Sequence, residues 1–534
     1  MNSLSNKPAG KRKDPAKDNN SPGPLVILAF DSGDPTLLRR WVEQGHLPVV
    51  SSLMERGCWA ETSSPELLLE HGAWLSIFSG ISRCDHGYYY FRQLVPGSYE
   101  LRLTYGPEIN SFPFWGLLGN DKRVVVVDVH DMRLIPDLPG AQIANWAVHR
   151  GYVSRAPVDQ PRSEPRELLE QISQRFGKPQ QIIENPEADL DQNRRFHRDL
   201  LARVQKKGSL CRHLIEGETP EILVVSFGES HTAGHQFWKF CGDAAGHGRN
   251  GHELGDAMRD VYQAIDREMG LLLSQMPPSA NVFVLSSIGL ADHYPTGGLM
   301  AAFCRELGYQ ASPLPKATSS GPMAIARRLV PESWRTALSK NFSRETREQL
   351  FAKQFCVSAD WSRTTAFAIP SMYTGFLRVN LRGREPQGVV EPGRHYQSVI
   401  ESLENDLHQL IDPQTGQPAI EKVVRSREVY GCNDSEILPD LIVHCKSCTH
   451  FIDHVVHPKA KIIQKRPEFL RDSEHSSRGF FAAAGPAIRA RGRIPDVEVL
   501  DLVPSFLSLL GRSKSEQMKG DVITELFQSG TVSA

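Results

Sequence analysis

No apolar run in this chain approaches the ~18 residues that a membrane-spanning helix needs. The longest, Leu25-Val26-Ile27-Leu28-Ala29-Phe30 and the valines 124–127, have the length of buried strands. The amino-terminal segment carries charges but no apolar stretch of the kind a secretory signal requires, so no such signal is expected. Cysteine is sparse: nine in 534 residues, odd in number and scattered, which excludes a disulfide framework as the basis of the fold. An excess of charge is lacking too, since 61 Lys and Arg face 62 Asp and Glu for a formal net charge of -1. That balance excludes a protein gripping nucleic acid or an anionic membrane through bulk charge. What is present is 40% hydrophobic and 23% charged residues, enough apolar matter for a sizeable core. The length suits two domains or one large decorated domain. A cytoplasmic enzyme is expected.

Residues 1–24 are rich in Asn, Ser, Pro, Gly and Lys and read as a solvated tail. From 25 onward, apolar runs at 25–30, 123–129, 221–226 and 281–286 each end in Gly, Asp, His or Ser, with helical patterns between them, notably at 167–175, 193–216 and 255–275. Strands apolar on both faces alternating with helices predict an α/β fold, a mostly parallel central sheet sandwiched by helices. Ligands gather at the carboxyl ends of such strands, so the polar residues after each run belong on one edge. The texture changes between about 296 and 435, with Pro and Gly breaks, a basic helical piece at 323–350 and short strand-like pieces. This predicts an inserted cap between a first core part, 25–295, and a second, 436–534, where the sheet pattern resumes at 439–443. No internal repeat and no signal for an oligomeric state is present.

Several residues carry candidate chemistry. His231 and His235 follow the run 221–226; on a helix their i, i+4 spacing puts two imidazoles on one face, as one metal ion requires. His475 precedes another core strand. Asp31, at the end of the first strand, reads as a metal ligand or as a cap of the next helix. Glu70 precedes a helical stretch and could simply complement its dipole. Cys445 and Cys448, flanked by His444 and His450, lack a second pair and read as free thiols. His450, His454 and His457 read as a polar loop, and the glycines 242–251 with His247 and His252 are too irregular for a phosphate cradle.

Together the ordered segments resemble the alkaline phosphatase superfamily, in particular its type I phosphodiesterase/nucleotide pyrophosphatase branch. The likeness is carried by Phe30-Asp31-Ser32-Gly33-Asp34, Gly45-His46-Leu47-Pro48, Ala73-Trp74 with Ser79-Gly80, and His86-Gly87. It continues through Asp360-Trp361-Ser362-Arg363-Thr364, Asn380-Leu381-Arg382-Gly383-Arg384, Pro439-Asp440-Leu441-Ile442-Val443 and Asp501-Leu502-Val503-Pro504. The resemblance implies an alkaline-phosphatase-like fold, but the active site departs from it. The position of the family's Thr or Ser nucleophile holds Glu70, or with a one-residue shift His71, and neither is a hydroxyl. The Asp-x-x-x-His pair and distant His of one metal site match His231, His235 and His475, so three imidazoles are expected there. The Asp-His dipeptide of the other metal site is Ser287-Ile288, and Ile ligates nothing; Asp292-His293 could replace it only through a rearranged loop.

Three readings follow. The first is a phosphodiesterase-like hydrolase of a phosphate or sulfate ester or a phosphonate, with one metal site (His231, His235, His475) and metal-bound hydroxide as nucleophile. Glu70 would be general base or further ligand, and Asp31 a ligand or an orienter. A divalent ion is implied, Zn2+ first, with Fe or Mn also suited to imidazole, and the partner is a small anionic substrate, with no nucleic acid and no membrane. The second keeps the metal but performs an elimination, transfer or oxygen-dependent conversion. The third is a non-catalytic binding protein, which histidines lying far apart would favour.

Overall fold

The computed structural model describes residues 23–120, 122–149, 160–178, 182–244, 252–313, 344–432, 435–467 and 470–527. All but the last two residues of the expected tail, His247, and most of the basic piece 323–350 lie outside these. The apolar runs form strands as expected. Leu25–Phe30 lies between Asn281–Ser286 and Ile222–Phe227, parallel to both, and Val124–Val127 and Gly140–Ala144 extend the parallel set beyond Ile222–Phe227. Arg478–Ala484 adds antiparallel beside Asn281–Ser286, followed by Cys58–Ser63 and Gly492–Arg493, while Arg162–Glu164 closes the opposite edge. The result is a nine-stranded, mostly parallel sheet.

Alternation along the first strand feeds two cores, because successive side chains point to opposite faces. Val26, Leu28 and Phe30 join Trp41 and Tyr262 beneath the helices Leu190–Ile215 and Ala257–Leu273. Leu25, Ile27 and Ala29 join Phe78 and Phe506 beneath Ala73–Ser79 and Leu502–Leu509. Leu28 is fully buried, so truncating it to Ala would cost about 2–5 kcal/mol. Asp189 opens the 26-residue helix Leu190–Ile215 with a capping box completed by Gln192.

A smaller unit holds a four-stranded sheet in the order Ala366–Ile369, Gly375–Val379, Leu441–Cys445, Ile420–Arg425, antiparallel throughout. This corrects the expected return to the core at 436. Leu441–Cys445 pairs with Gly375–Val379, and the hairpin His454–His457/Ala460–Ile463 belongs to a further small sheet; the chain re-enters the large sheet only at Arg478–Ala484. An apolar run reports a buried strand, not which sheet buries it. The two parts are bridged by an antiparallel ribbon, Gly289–Asp292 with Ser473–Ser476, in which His475 lies opposite Leu290.

Among the described residues no helix is long and apolar enough to cross a membrane. Cys84 and Cys432 form a disulfide, tying the turn after Ala73–Ser79 to the smaller unit, and the other seven cysteines are free.

Candidate metal centre

The helix Glu229–Phe237 begins one residue after the strand Ile222–Phe227, so His231 and His235 share its inner face and are buried. Gly234 between them allows the close approach: a Cβ there would stand 2.3 Å from Cδ1 of Leu290, on the ribbon that carries His475. The Nε2 atoms of His231 and His235 are 3.0 Å apart, and those of His231 and His475 2.9 Å apart. Ring centroids form a nearly equilateral triangle of 4.8, 4.9 and 5.0 Å. Imidazoles sharing one ion at ~2.0–2.1 Å stand at about this mutual spacing.

The outer nitrogens are all engaged. His231 Nδ1 meets Asp31 Oδ2 at 3.0 Å, His235 Nδ1 meets Ser473 Oγ at 3.0 Å, and His475 Nδ1 makes a short contact with Glu474. A carboxylate only accepts, so His231 and His475 donate from Nδ1 and their Nε2 atoms are bare lone pairs when the rings are neutral. Two lone pairs 2.9 Å apart require a cation between them, either a proton or a metal ion. The residues present therefore fit a divalent ion, with outer partners of the kind that fix metal-ligating imidazoles.

The electrostatics agree. Burial lowers His235 well below its ordinary 6.5, with Arg471 and His231 adding to the effect. Burial also lowers His231, against the pull of Asp31. Burial opposes the charged form of His475 as well, but Glu70 and Glu474 outweigh it and raise this group. Burial would raise the Asp31 carboxyl, yet His231, with help from His130 and Trp74, holds it below the usual carboxylate range.

Asp31 does not point into the triangle. Its Oδ2 faces the outer nitrogen of His231, its Oδ1 accepts from Trp74 Nε1 at 2.8 Å, and Ser287 Oγ lies 3.5 Å from the same atom. Of the two roles expected for Asp31, ligand or orienter, this placement suits the orienter. Ile288 is buried in the core, and Asp292 accepts from Trp238 Nε1 at 2.7 Å, so the Asp292-His293 pair does not join the histidines. Among the described residues, the sets of three ligand side chains with atoms within 4.8 Å are Glu70, His231 and His475, and His149, His231 and His235.

Glu70 lies at the mouth, with one oxygen 3.8 Å from His231 Nε2 and the other 3.4 Å from His475 Nδ1. Burial opposes ionisation, but His475 and His71 outweigh it and hold the carboxyl below its usual range. The turn before it is held by Arg83, which donates to the carbonyls of Leu69 at 2.6 Å, Tyr88 at 2.8 Å, Glu66 and His71. Gly72, with φ +83°, follows; a Cβ there would meet Tyr88 O at 2.6 Å. His71 turns away into Tyr88, Tyr90 and Phe91, so Glu70 is the one of the two that faces the histidines.

His149 escapes a reading of the sequence. Its ring stacks on His231 at 3.7 Å and 21°, too close and too parallel for both rings to serve one ion, and its Nδ1 meets Thr232 Oγ1 at 3.1 Å. The signal that could have found it is its place just beyond the carboxyl end of the strand Gly140–Ala144. Lys207, wholly buried beneath the helix, contacts Asp128 and Glu229 at 3.1 Å each and donates to two carbonyls at 3.0 Å, so it anchors the first residue of Glu229–Phe237. Ser76, His86 and Glu66 superficially form a hydrolytic set. Tyr88 N donates to His86 Nδ1, so His86 Nε2 is the donor toward Ser76, whose hydroxyl donates to Glu66; His86 is thus not a base for the serine, and no Ser-His-acid relay is formed.

A cavity of about 420 Å3 opens beside Glu70, Glu474 and His475, walled by Tyr89, Tyr90, Tyr373 and Phe376, with Lys422 and His444 on the smaller unit's side. Arg384 takes no part: it pairs with Asp440 at 2.6 Å and Glu385 at 2.9 Å, and Arg382 pairs with Glu391. His450, His454 and His457 each face a separate aspartate, Asp412, Asp453 and Asp406, and do not converge.

No protein-family model matches the chain, and no curated protein matches it. Similar solved structures include an inactive murine ectonucleotide pyrophosphatase/phosphodiesterase 5 in complex with AMP, at 10% identity and TM-score 0.47, covering 95% of this chain and 100% of that one. The human counterpart gives the same figures. Phosphonoacetate hydrolase from Sinorhizobium meliloti 1021 in complex with phosphonoformate is similar at 12% identity and TM-score 0.46, covering 90% of this chain and 94% of that one.

Proposed function

We propose that this chain is a metal-dependent hydrolase of the alkaline-phosphatase-like kind, cleaving a small anionic ester of phosphate or sulfate, or a phosphonate, at one metal site. The observation that carries the reading is that His231 Nε2 meets the Nε2 atoms of both His235, at 3.0 Å, and His475, at 2.9 Å, while the rear nitrogens of the three rings are tied to Asp31, Ser473 and Glu474. A divalent ion, Zn2+ first and Fe or Mn also suited, would act there as a Lewis acid and bring the pKa of a coordinated water to ~7.

The chain's own residues do the rest. Asp31 and Glu474 keep the Nδ1 protons of His231 and His475 in place, so the inner nitrogens stay available. Glu70, held ionised beside both, is the general base that takes a proton from the attacking water. Neither Glu70 nor His71 is a hydroxyl, so a phosphoserine or phosphothreonine intermediate has no nucleophile at that position. The aromatic cavity receives the organic part of the substrate, and Lys422 is the cation among its lining side chains. A cytoplasmic setting belongs to the same proposal; the Cys84–Cys432 bond stands against it, since disulfides are rare in the cytosol.

One observation favours a second reading, an oxygen-dependent conversion at iron. Glu70, His231 and His475 place a carboxylate and two imidazoles within 4.8 Å, a set that suits Fe(II) with open positions. An inert binding scaffold finds no such support, because its histidines have no reason to meet. Hydrolysis of aryl phosphate diesters, monoesters, sulfates and phosphonates, followed with and without chelator, tests the proposal. Release lost on chelation and restored by Zn2+ is the expected result. Full turnover by the apoprotein, or bound iron with oxygen consumption and no ester cleavage, would overturn it.

A further inference from the structure

We propose that Arg471 is a positioning residue of the metal centre, whose guanidinium holds Glu474 so that His475 is turned toward His231 and His235. The inference rests on the reading that these three histidines hold a metal ion.

Arg471 is 7% exposed and lies between two carboxylates. One terminal nitrogen stands 3.2 Å from Glu474 Oε2 and the other 3.2 Å from Glu184 Oε1. The opposite oxygen of Glu474 contacts His475 Nδ1, and His475 Nε2 reaches the triangle. The chain of contacts from guanidinium to metal-facing nitrogen is thus unbroken, and Arg471, Ser473, Glu474 and His475 come from one five-residue stretch that also orients His235 through Ser473. The guanidinium lies 4.9 Å over the ring of Tyr373, which walls the cavity from the smaller unit.

The geometry suits arginine. Two acids are met by two separate nitrogens of one planar fork, a spacing that the single nitrogen of an ammonium does not reproduce at this site. Without the fork, Glu474 and Glu184 face each other across a vacated, buried space. Glu474 then loses the donor that fixes its carboxylate, and with it the contact that sets the ring plane of His475. Outer partners of metal-ligating histidines are worth about 10–100-fold in metal affinity.

Zn2+ affinity of the full chain, measured by competition with a chromophoric chelator, tests this, with the visible bands of the Co2+ form as a readout of ligand geometry. Arg471→Lys and Arg471→Ala are expected to weaken Zn2+ by about 10–100-fold and to alter the Co2+ bands. Glu474→Gln is expected to give a similar loss, and Arg471→Lys combined with Glu474→Gln no further loss, because both act through one link. Added guanidinium at millimolar level should restore part of the affinity of Arg471→Ala, which a merely structural role would not show. Variants that bind like the wild type, or losses that add, would overturn the role of Arg471. Should Arg471→Ala fail to fold, the lysine variant and the double variant decide. A wild-type chain that binds no Zn2+ would instead overturn the metal-centre reading itself.

Discussion

Nε2 of His475 stands 2.9 Å from Nε2 of His231, although 244 residues of chain separate the two. Each ring has its outer nitrogen against a carboxylate, so the short approach sets lone pair against lone pair unless a cation lies between. The first ring comes from the helix after a central parallel strand and the second from the ribbon leading to an antiparallel strand of the same sheet. The sheet is therefore what makes the site: its carboxyl edge gathers side chains that are remote in sequence.

Glu70→Gln keeps the shape of the turn and removes the acceptor. Turnover is expected to fall by about 100-fold or more, the usual scale of a general base, while the metal is retained through the three histidines. Steady-state rates alongside metal content of the same preparation check this.

Lys207→Met should unsettle the site from below. It leaves Asp128 and Glu229 buried without their shared ammonium, for which a loss of about 3–5 kcal/mol is expected. Urea unfolding measures that loss. Metal affinity should fall with it, because Glu229 opens the helix that carries His231 and His235.

Acid should destabilise the metal-free protein over a defined window. Burial holds His86, His149 and His235 well below their ordinary 6.5, so they stay neutral in the fold while the unfolded chain takes up protons from about pH 6.5 downward. The unfolded state then binds more protons, and stability present above pH 6.5 is lost as pH falls. Glu184, raised by burial to about 7, and Asp266, raised to about 6, work in the opposite direction, so the imidazole share is read by comparison. In chelator, the melting temperature of His149→Gln is expected to fall less from pH 7.5 to 5.5 than that of the wild type; an equal or larger fall would contradict the burial of a neutral His149.

Lys422 and Arg384 should separate binding from stability. Lys422 is exposed and lines the cavity, so Lys422→Ala is expected to raise KM severalfold with an unchanged melting temperature. Arg384 is tied to Asp440 and Glu385, so Arg384→Ala should lower the melting temperature with little change in KM.

Much of this was legible in the sequence, for reasons that mark where legibility ends. Apolar runs ending in polar residues report buried parallel strands and their functional edge, and an i, i+4 pair just past such a run places His231 and His235 on one helix face. The separation of Asp31 as orienter from Glu70 as near neighbour was not legible, because it depends on which nitrogen of His231 faces inward. His149 carries no spacing partner in sequence and meets His231 only through the sheet. Arg471, Ser473 and Glu474 surround a residue the pattern singled out, yet their roles depend on side-chain direction along a short ribbon. Leu441–Cys445 reads as a strand and is one, but its partners are set by tertiary pairing, which places it outside the large sheet.

The central claim is that His231, His235 and His475 hold one metal ion. Elemental analysis of the purified chain beside His235→Ala tests it most directly. About one equivalent of divalent metal in the wild type and a small fraction of that in the variant is the predicted result. A wild-type chain without metal after reconstitution, or a His235→Ala chain that retains a full equivalent, would contradict it.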